Sequence, residues 1–348
     1  MSSWRFAPLA ALIGLAMIAP PLRASATEIE TKSFKIPSGD SGIELFMRNK
    51  HRAGVASFGP DRTLLFVHGA TYPAETAFDL PIEGRSMMDM FADAGYDVYL
   101  VDVRGYGGST RPPEMNEPPE NNKPLVSTEQ AIRDFGTAVD YVLNTRGLDK
   151  IDVMGWSWGT SIAGGYTADH NAKVNRLVLY APLWLFKEGA RPPAATLGAY
   201  RLVSKASAKD RWLKDVPEAR RADLIPPGVF EAWADATWAT DPEAAKNGDM
   251  LRAPNGVVQD VNAYWLAGKP LYDPGKITVP TLLIHAEWDA DLPSYQAQAY
   301  FAKLVNAPYK RFVELGEGTH TVMMEKNRMQ FFHEIRGFLD EQAPLALR

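Results

Sequence analysis

Apolar and polar positions fall into blocks along the first half of the chain, and successive blocks differ in period. "RTLLFVHGA" (62–70), "YDVYLVDVRG" (96–105), "KIDVMGW" (150–156) and "VNRLVLYAP" (174–182) are near-continuous apolar runs. Such runs predict strands buried on both faces of a sheet. Between them the spacing turns helical. "GRSMMDMFADAG" (84–95) stops at a glycine, and 127–147 opens on a Ser-Thr cap with Ile132, Phe135, Val139 and Val142 on one face. "GTSIAGGYTADH" (159–170) predicts a further helix. Two shorter extended runs, 33–37 and 42–50, flank "SGDSG" and predict a hairpin.

This strand–helix–strand rhythm predicts a parallel sheet covered on both sides. It breaks at Leu183. From there to Gly275 the chain is rich in Ala, Pro and Trp, helical in character, and without a good buried strand. The rhythm resumes with a strand over 278–289, a helix over 294–304, a strand over 309–316 and an amphipathic helix over 325–342. The expected plan is one α/β domain in two parts, 27–182 and 276–348, interrupted by a helical insertion over 183–275. "RPPEMNEPPENNKP" (111–124) predicts a loop without regular structure.

The first residues follow a different pattern. Arg5 precedes an apolar stretch, Phe6 to Ala19, and Ala24-Ser25-Ala26 forms a small-x-small site. Residues 1–26 therefore read as a signal peptide cleaved before Thr27. The apolar stretch is shorter than the roughly 20 residues that span a bilayer. The expected location is exported, periplasmic or secreted, with no stable membrane insertion after cleavage. The chain has no cysteine, which excludes disulfides, thiolate metal sites and a cysteine nucleophile. Without Arg5 and Arg23 the balance is 35 basic against 42 acidic residues, which argues against a nucleic-acid partner.

The candidate chemistry centres on "VMGWSWGTS" (153–161). Gly155-Trp156-Ser157-Trp158-Gly159 fits G-x-S-x-G between an expected strand and an expected helix, the context this motif requires. A strand that turns into a helix at one residue strains that residue. The residues two before and two after must then be small. Ser157 would sit at a helix N-terminus, where the dipole favours negative charge. A serine hydroxyl needs a base, and the base needs a third group to orient it. Of the six histidines, His320 in "GTHTVMM" follows the last expected strand. His285 lies inside an apolar strand and reads as packed, while His51, His170 and His333 read as solvent-facing. "TLLIHAEWDADLP" offers Asp289 as the orienting acid, with Asp291 as the alternative.

These motifs resemble a serine hydrolase of the α/β-hydrolase superfamily over nearly the whole length after residue 26. They are "HGA" (68–70), "DVRGYGGS" (102–109), "GWSWG" (155–159), and the "EWDADLP" and "GTH" elements near the end. The resemblance implies an α/β-hydrolase fold: a mostly parallel eight-stranded sheet, helices on both faces and the insertion as a helical lid. It implies an oxyanion hole from the backbone N–H groups of Ala70 and Trp158, with His68 holding that loop. Serine at the elbow, where related dehalogenases and epoxide hydrolases carry aspartate, implies acyl transfer on a small-molecule ester or amide. Carboxylic esters are the expected substrates. A proline-iminopeptidase type of aminopeptidase, using lid carboxylates such as Glu188, Asp210, Glu218, Glu231 and Asp235, is the alternative. A catalytically silent binding protein on the same scaffold is a third. The insertion's tryptophans, Trp184, Trp212, Trp233, Trp238 and Trp265, read mainly as its own core. Trp156, Trp158 and Trp288 suggest a hydrophobic pocket. "RGYGG" (104–108) lacks the third glycine of a dinucleotide fingerprint and does not open a βαβ unit, so no cofactor is expected. No histidine pair has metal-ligand spacing, so no catalytic metal is expected.

Overall fold

The structure, a computed structural model, describes residues 28–342 except 191 and 195, together with Met1 and Trp4. The expected leader, 1–26, otherwise lies outside the described residues. In chain order the strands are β1 (Ile29–Pro37), β2 (Glu44–Arg52), β3 (Thr63–Val67), β4 (Asp97–Val101), β5 (Ile151–Trp156) and β6 (Val174–Tyr180). They continue with β7 (Tyr200–Ser204), β8 (Met250–Pro254), β9 (Thr281–Ala286) and β10 (Lys310–Leu315). The helices are α1 (Ala74–Phe78), α2 (Met87–Asp93), α3 (Thr128–Arg146), α4 (Trp158–Asp169) and α5 (Lys205–Trp212). After these come α6 (Glu218–Leu224), α7 (Val229–Ala239), α8 (Gly256–Asp260), α9 (Ser294–Lys303) and α10 (Arg328–Asp340).

Eight strands form one sheet in the order β1-β2-β4-β3-β5-β6-β9-β10. The expected hairpin β1–β2 is antiparallel and joins β4 antiparallel, while β4, β3, β5, β6, β9 and β10 run parallel. Every residue of β3, β4, β5 and β9 is buried. That matches their unbroken apolar runs, since helices cover both faces of such strands. Helix starts follow local chemistry. Ser127 and Gln130 close a capping box on α3, and Ser86 with Asp89 does the same on α2. Gly147 ends α3 at φ 64°, in the left-handed region that glycine enters without strain.

The structure departs from the sequence reading in three places. The 183–275 segment is not wholly helical: β7 and β8 pair antiparallel as a separate two-stranded sheet. Neither strand carries a continuous apolar run, and their pairing joins residues about 50 positions apart, so local periodicity misses both. The Pro-rich loop contains two single 3₁₀ turns, Pro113–Asn116 and Pro119–Asn121. Proline's fixed φ suits the first position of such turns. Helix α1 is a single five-residue turn, too short to carry a period.

Candidate active site

Ser157 joins β5 to α4 with φ 58° and ψ −122°, a backbone conformation that a non-glycine residue holds only when its surroundings enforce it. The enforcement is visible. Ser157 N–H donates to Tyr180 O at 2.8 Å, extending the β5–β6 ladder one residue past the strand. A Cβ on Gly155 would lie 2.1 Å from Gly159 O. A Cβ on Gly159 would instead meet the β3 end, at 2.6 Å from His68 O and 2.7 Å from Val67 O. The two glycines are thus both needed, but against different neighbours. Gly69 is a third close approach: its Cβ would sit 2.8 Å from Ser157 Cβ. Trp158 is the first residue of α4, so its N–H points out of the helix start without an intrahelical acceptor.

His320 and Asp289 come together from separate loops beyond β10 and β9. His320 Nδ1 lies 2.8 Å from Asp289 Oδ2, and the Asp289 side chain is fully buried. The backbone N–H groups of Asp291 and Leu292 both donate to Asp289 Oδ1 at 2.9 Å. Asp291, the alternative acid, stands on the other side of the ring, 4.0 Å from Nε2. Its Oδ2 accepts from Arg211 Nε at 2.7 Å. Burial works against an imidazolium at His320, but the charge and hydrogen bond of Asp289 and the charge of Asp291 outweigh it. The His320 pKa is raised above the ordinary histidine value. Burial likewise opposes the Asp291 carboxylate, yet Arg211 and His320 hold its pKa below the usual range. The ligand-type atoms of Asp289, Asp291 and His320 all lie within 4.8 Å of one another. This is a metal-like grouping that histidine spacing alone did not suggest. Both Asp289 oxygens and Asp291 Oδ2 accept hydrogen bonds from backbone N–H groups, His320 and Arg211, which hold the cluster as a network.

Further residues hold the loops in place. His68 is fully buried, and burial depresses its pKa to about 4. Val103 N–H donates to Nε2 at 3.1 Å, so Nδ1 carries the proton and donates to Gly69 O at 2.6 Å. Neutral His68 therefore pins the loop that carries Ala70. Asp102, pushed up to about 6 by burial, accepts from Ala74 N–H at 2.7 Å and Gly108 N–H at 3.1 Å. On the far side, Glu325 accepts from Thr319 N–H at 3.0 Å, from the Thr319 hydroxyl and from Trp212 Nε1–H at 2.8 Å. It ties the His320 loop to α5. His285 is buried, with Nε2 2.9 Å from Leu292 O. His170 and His333 are exposed and His51 is partly so.

A cavity of about 390 Å³ is lined by Ala70, Thr71, Ser157, Trp158, Arg201 and Asp291 among others. A smaller one of about 20 Å³ is lined by Trp156, His320, Tyr72, Trp212 and Trp233 among others, and shares Ala70, Arg211 and Asp291 with the first. The indoles next to Ser157 also act as anchors. Trp156 Nε1–H donates to His320 O at 2.8 Å, and Trp158 Nε1–H donates to Thr128 Oγ1 at 2.9 Å. Trp184, Trp212, Trp233, Trp238 and Trp265 are all buried, and Trp212 stacks edge-on to Trp233. Glu188, Asp210, Glu218, Glu231 and Asp235 are all exposed, and none lines either cavity. Sequence reasoning missed Thr71, Arg201, Arg211 and Glu325. Arg201 and Arg211 reach the site from the 183–275 segment across dozens of residues, whereas Thr71 and Glu325 lie a few residues from the HGA and GTH elements without belonging to either.

No helix among the described residues is long and apolar enough to cross a membrane. Comparison with known proteins supports the architecture. The poly(3-hydroxyalkanoate) polymerase subunit PhaC of Haloarcula marismortui is 33% identical over 99 residues, 28% of this chain and 18% of that protein. Human lipase member N is 29% identical over 134 residues, 38% of this chain and 33% of that protein. The chain thus spans a third or less of the length of these two relatives. Among solved structures, 2-hydroxy-6-oxo-6-phenylhexa-2,4-dienoate hydrolase from Rhodococcus superposes with a TM-score of 0.59 at 16% identity. That match covers 90% of this chain and 100% of the other. Residues 62–327, which hold every group of the site just described, match the alpha/beta hydrolase fold family, and the chain belongs to it.

Proposed function

We propose that this member of the family is a serine hydrolase of carboxylic esters that works through an acyl-enzyme. Ser157 attacks the ester carbonyl. His320 takes the serine proton and passes it to the leaving alcohol, and Asp289 orients the imidazole by holding Nδ1–H. The N–H groups of Ala70 and Trp158 receive the oxyanion, a service whose loss lowers the rate by on the order of 10²–10³ per donor. Water then repeats the sequence on the acyl-enzyme and regenerates Ser157. The observation that carries this reading is the pairing of a strained serine at a helix start with the 2.8 Å His320–Asp289 contact at the same strand ends. The aminopeptidase alternative needs carboxylates to hold an amine. Among the described cavity residues only Asp291 could serve, and Arg211 already occupies it.

The test is p-nitrophenyl ester turnover and fluorophosphonate labelling of the folded chain and of Ser157→Ala. Labelling and turnover that disappear together support the assignment. Undiminished turnover by Ser157→Ala overturns it, and a wild-type chain that takes no label supports a silent binding protein instead. Export belongs to the same proposal, on the strength of the 1–26 pattern. N-terminal sequencing of protein collected outside the cytoplasm should begin at Thr27, and a chain found only in the cytoplasm with Met1 intact would refute it.

A further inference from the structure

The larger cavity carries one charge that no carboxylate among the described residues balances. Its charged lining residues are Arg201, Arg211 and Asp291. Arg211 and Asp291 pair with each other at 2.7 Å. Arg201 does not meet a carboxylate among the described residues. Its Nη1 donates to Pro254 O at 2.7 Å, with Ala253 O and Asn255 Oδ1 more distant at 3.4 Å, and its Nη2 donates to Thr71 Oγ1. All of these acceptors are neutral. No acceptor among the described residues meets its Nε–H. The Arg201 side chain is partly buried and lines the cavity.

We propose that Arg201 receives a carboxylate carried by the substrate, so that the cavity selects anionic esters over neutral ones. This rests on the hydrolase reading above and names its substrate class. A guanidinium drawn partly away from water without a counter-charge is unfavourable, and arginine does not relieve this by losing its proton. Burial depresses the Arg201 pKa, and the like charge of Arg211 adds to it, against the pull of Tyr106. A monoanion supplies the missing counter-charge one for one. A planar carboxylate also fits the donor fork that guanidinium presents. Thr71, which accepts from Arg201, follows Ala70 directly. The anion site is thus tied to the loop beside the nucleophile, where selection acts on the reacting substrate.

The test compares matched esters that differ only in charge. One pair puts the carboxylate on the acyl side: p-nitrophenyl hydrogen adipate against the p-nitrophenyl ester of its primary monoamide. The other puts it on the alcohol side: 4-acetoxybenzoate against 4-acetoxybenzamide. In at least one pair wild-type kcat/KM should favour the anion by on the order of 10- to 100-fold, the range for hydrogen bonds to charged groups. Arg201→Met should bring that ratio to about one, and Arg201→Lys should leave it between. A purely structural Arg201 would lower both members of a pair equally. Wild-type ratios at or below one in both pairs overturn the proposal, as does an unchanged ratio in Arg201→Met. If that variant does not fold, the wild-type ratios and the lysine variant decide. If no ester is turned over, the hydrolase reading is the one that fails. Calorimetric titration of benzoate and benzamide into the wild type then judges Arg201 alone: preferential benzoate binding upholds it, and equal binding overturns it.

Discussion

The sheet and the 183–275 segment hold their side chains by different means. In the sheet, position comes from backbone register. The β3–β5 and β5–β6 ladders run up to the elbow, and Ser157 N–H and Ala181 N–H continue the pattern beyond the strand ends. Ser157, Asp289 and His320 follow β5, β9 and β10 within a few residues. Among the described residues of the segment, the only ladder is β7–β8. Elsewhere it is fastened by scattered backbone bonds, such as Leu125 N–H to Ala199 O and Lys326 N–H to Leu224 O, and by individual side chains. Buried Arg252 bonds Asp241 and Met115 O, both at 2.6 Å. Thr237 Oγ1 donates to Thr76 Oγ1 at 2.8 Å, Trp212 reaches Glu325, and Arg201 reaches Thr71. A ladder tolerates changes of side chain, because the backbone makes the bonds. A single side-chain bond does not. Ser157 is therefore positioned by the tolerant half of the molecule, and the cavity is shaped by the sensitive half. Selectivity can change in the segment without moving Ser157.

The sharpest way to break this contrast lies in the two aspartates beyond β9. Asp289 faces inward to His320 Nδ1, whereas Asp291 faces the segment through Arg211. Asp289→Asn should lower kcat by on the order of 10⁴-fold, because an amide cannot hold the imidazole as a carboxylate does. Asp291→Asn should keep most of kcat and move the pH profile instead. The base must be neutral to accept the serine proton, so activity falls as pH drops through the His320 pKa. That pKa is raised in the native protein, partly by Asp291. The acidic limb of kcat/KM should therefore start above the ordinary histidine value of about 6.5. Removing Asp291 takes away a raising charge and frees Arg211, which lowers the His320 pKa further. Both effects move the limb to lower pH. An unmoved limb, or equal losses of kcat in the two variants, would show that the inward and outward carboxylates do not divide the work.

The same contrast explains what could be read from the sequence. Buried parallel strands announce themselves as apolar runs, and the elbow glycines, Ser157, Asp289 and His320 lie where those runs end. Their chemistry is local in the chain. Arg201 and Glu325 are not legible in that way. Arg201 matters because Thr71, 130 positions earlier, shares its cavity. Glu325 matters because Trp212 and Thr319 meet it. The reason given for Gly159 was incomplete for the same cause: its close neighbour is the end of β3, not only the other elbow glycine. Even Trp156 and Trp158, conspicuous in the sequence, did not reveal that their indole N–H groups fasten the His320 loop and α3.

The smallest expected effect tests whether the segment's fastenings reach the chemistry at all. Trp212 Nε1–H is one of several donors to buried Glu325. Trp212→Phe keeps an aromatic ring against Trp233 but removes that donor and trims the buried indole to a smaller ring. Glu325 still accepts from Thr319 N–H and the Thr319 hydroxyl, so the His320 loop remains tied. The lost hydrogen bond should cost about 1 kcal/mol, and the smaller ring adds to that, read as a fall of a few degrees in Tm. Burial already raises the Glu325 pKa against the pull of Thr319 and Trp212. Removing Trp212 should raise it further, making Glu325 easier to protonate. KM should rise more than kcat falls, because the roof of the smaller cavity loosens while the Asp289–His320 pair stays. A kcat loss approaching that of Asp289→Asn would mean that Trp212 positions the base itself, and the division between a register-held nucleophile and a side-chain-held cavity would have to be withdrawn.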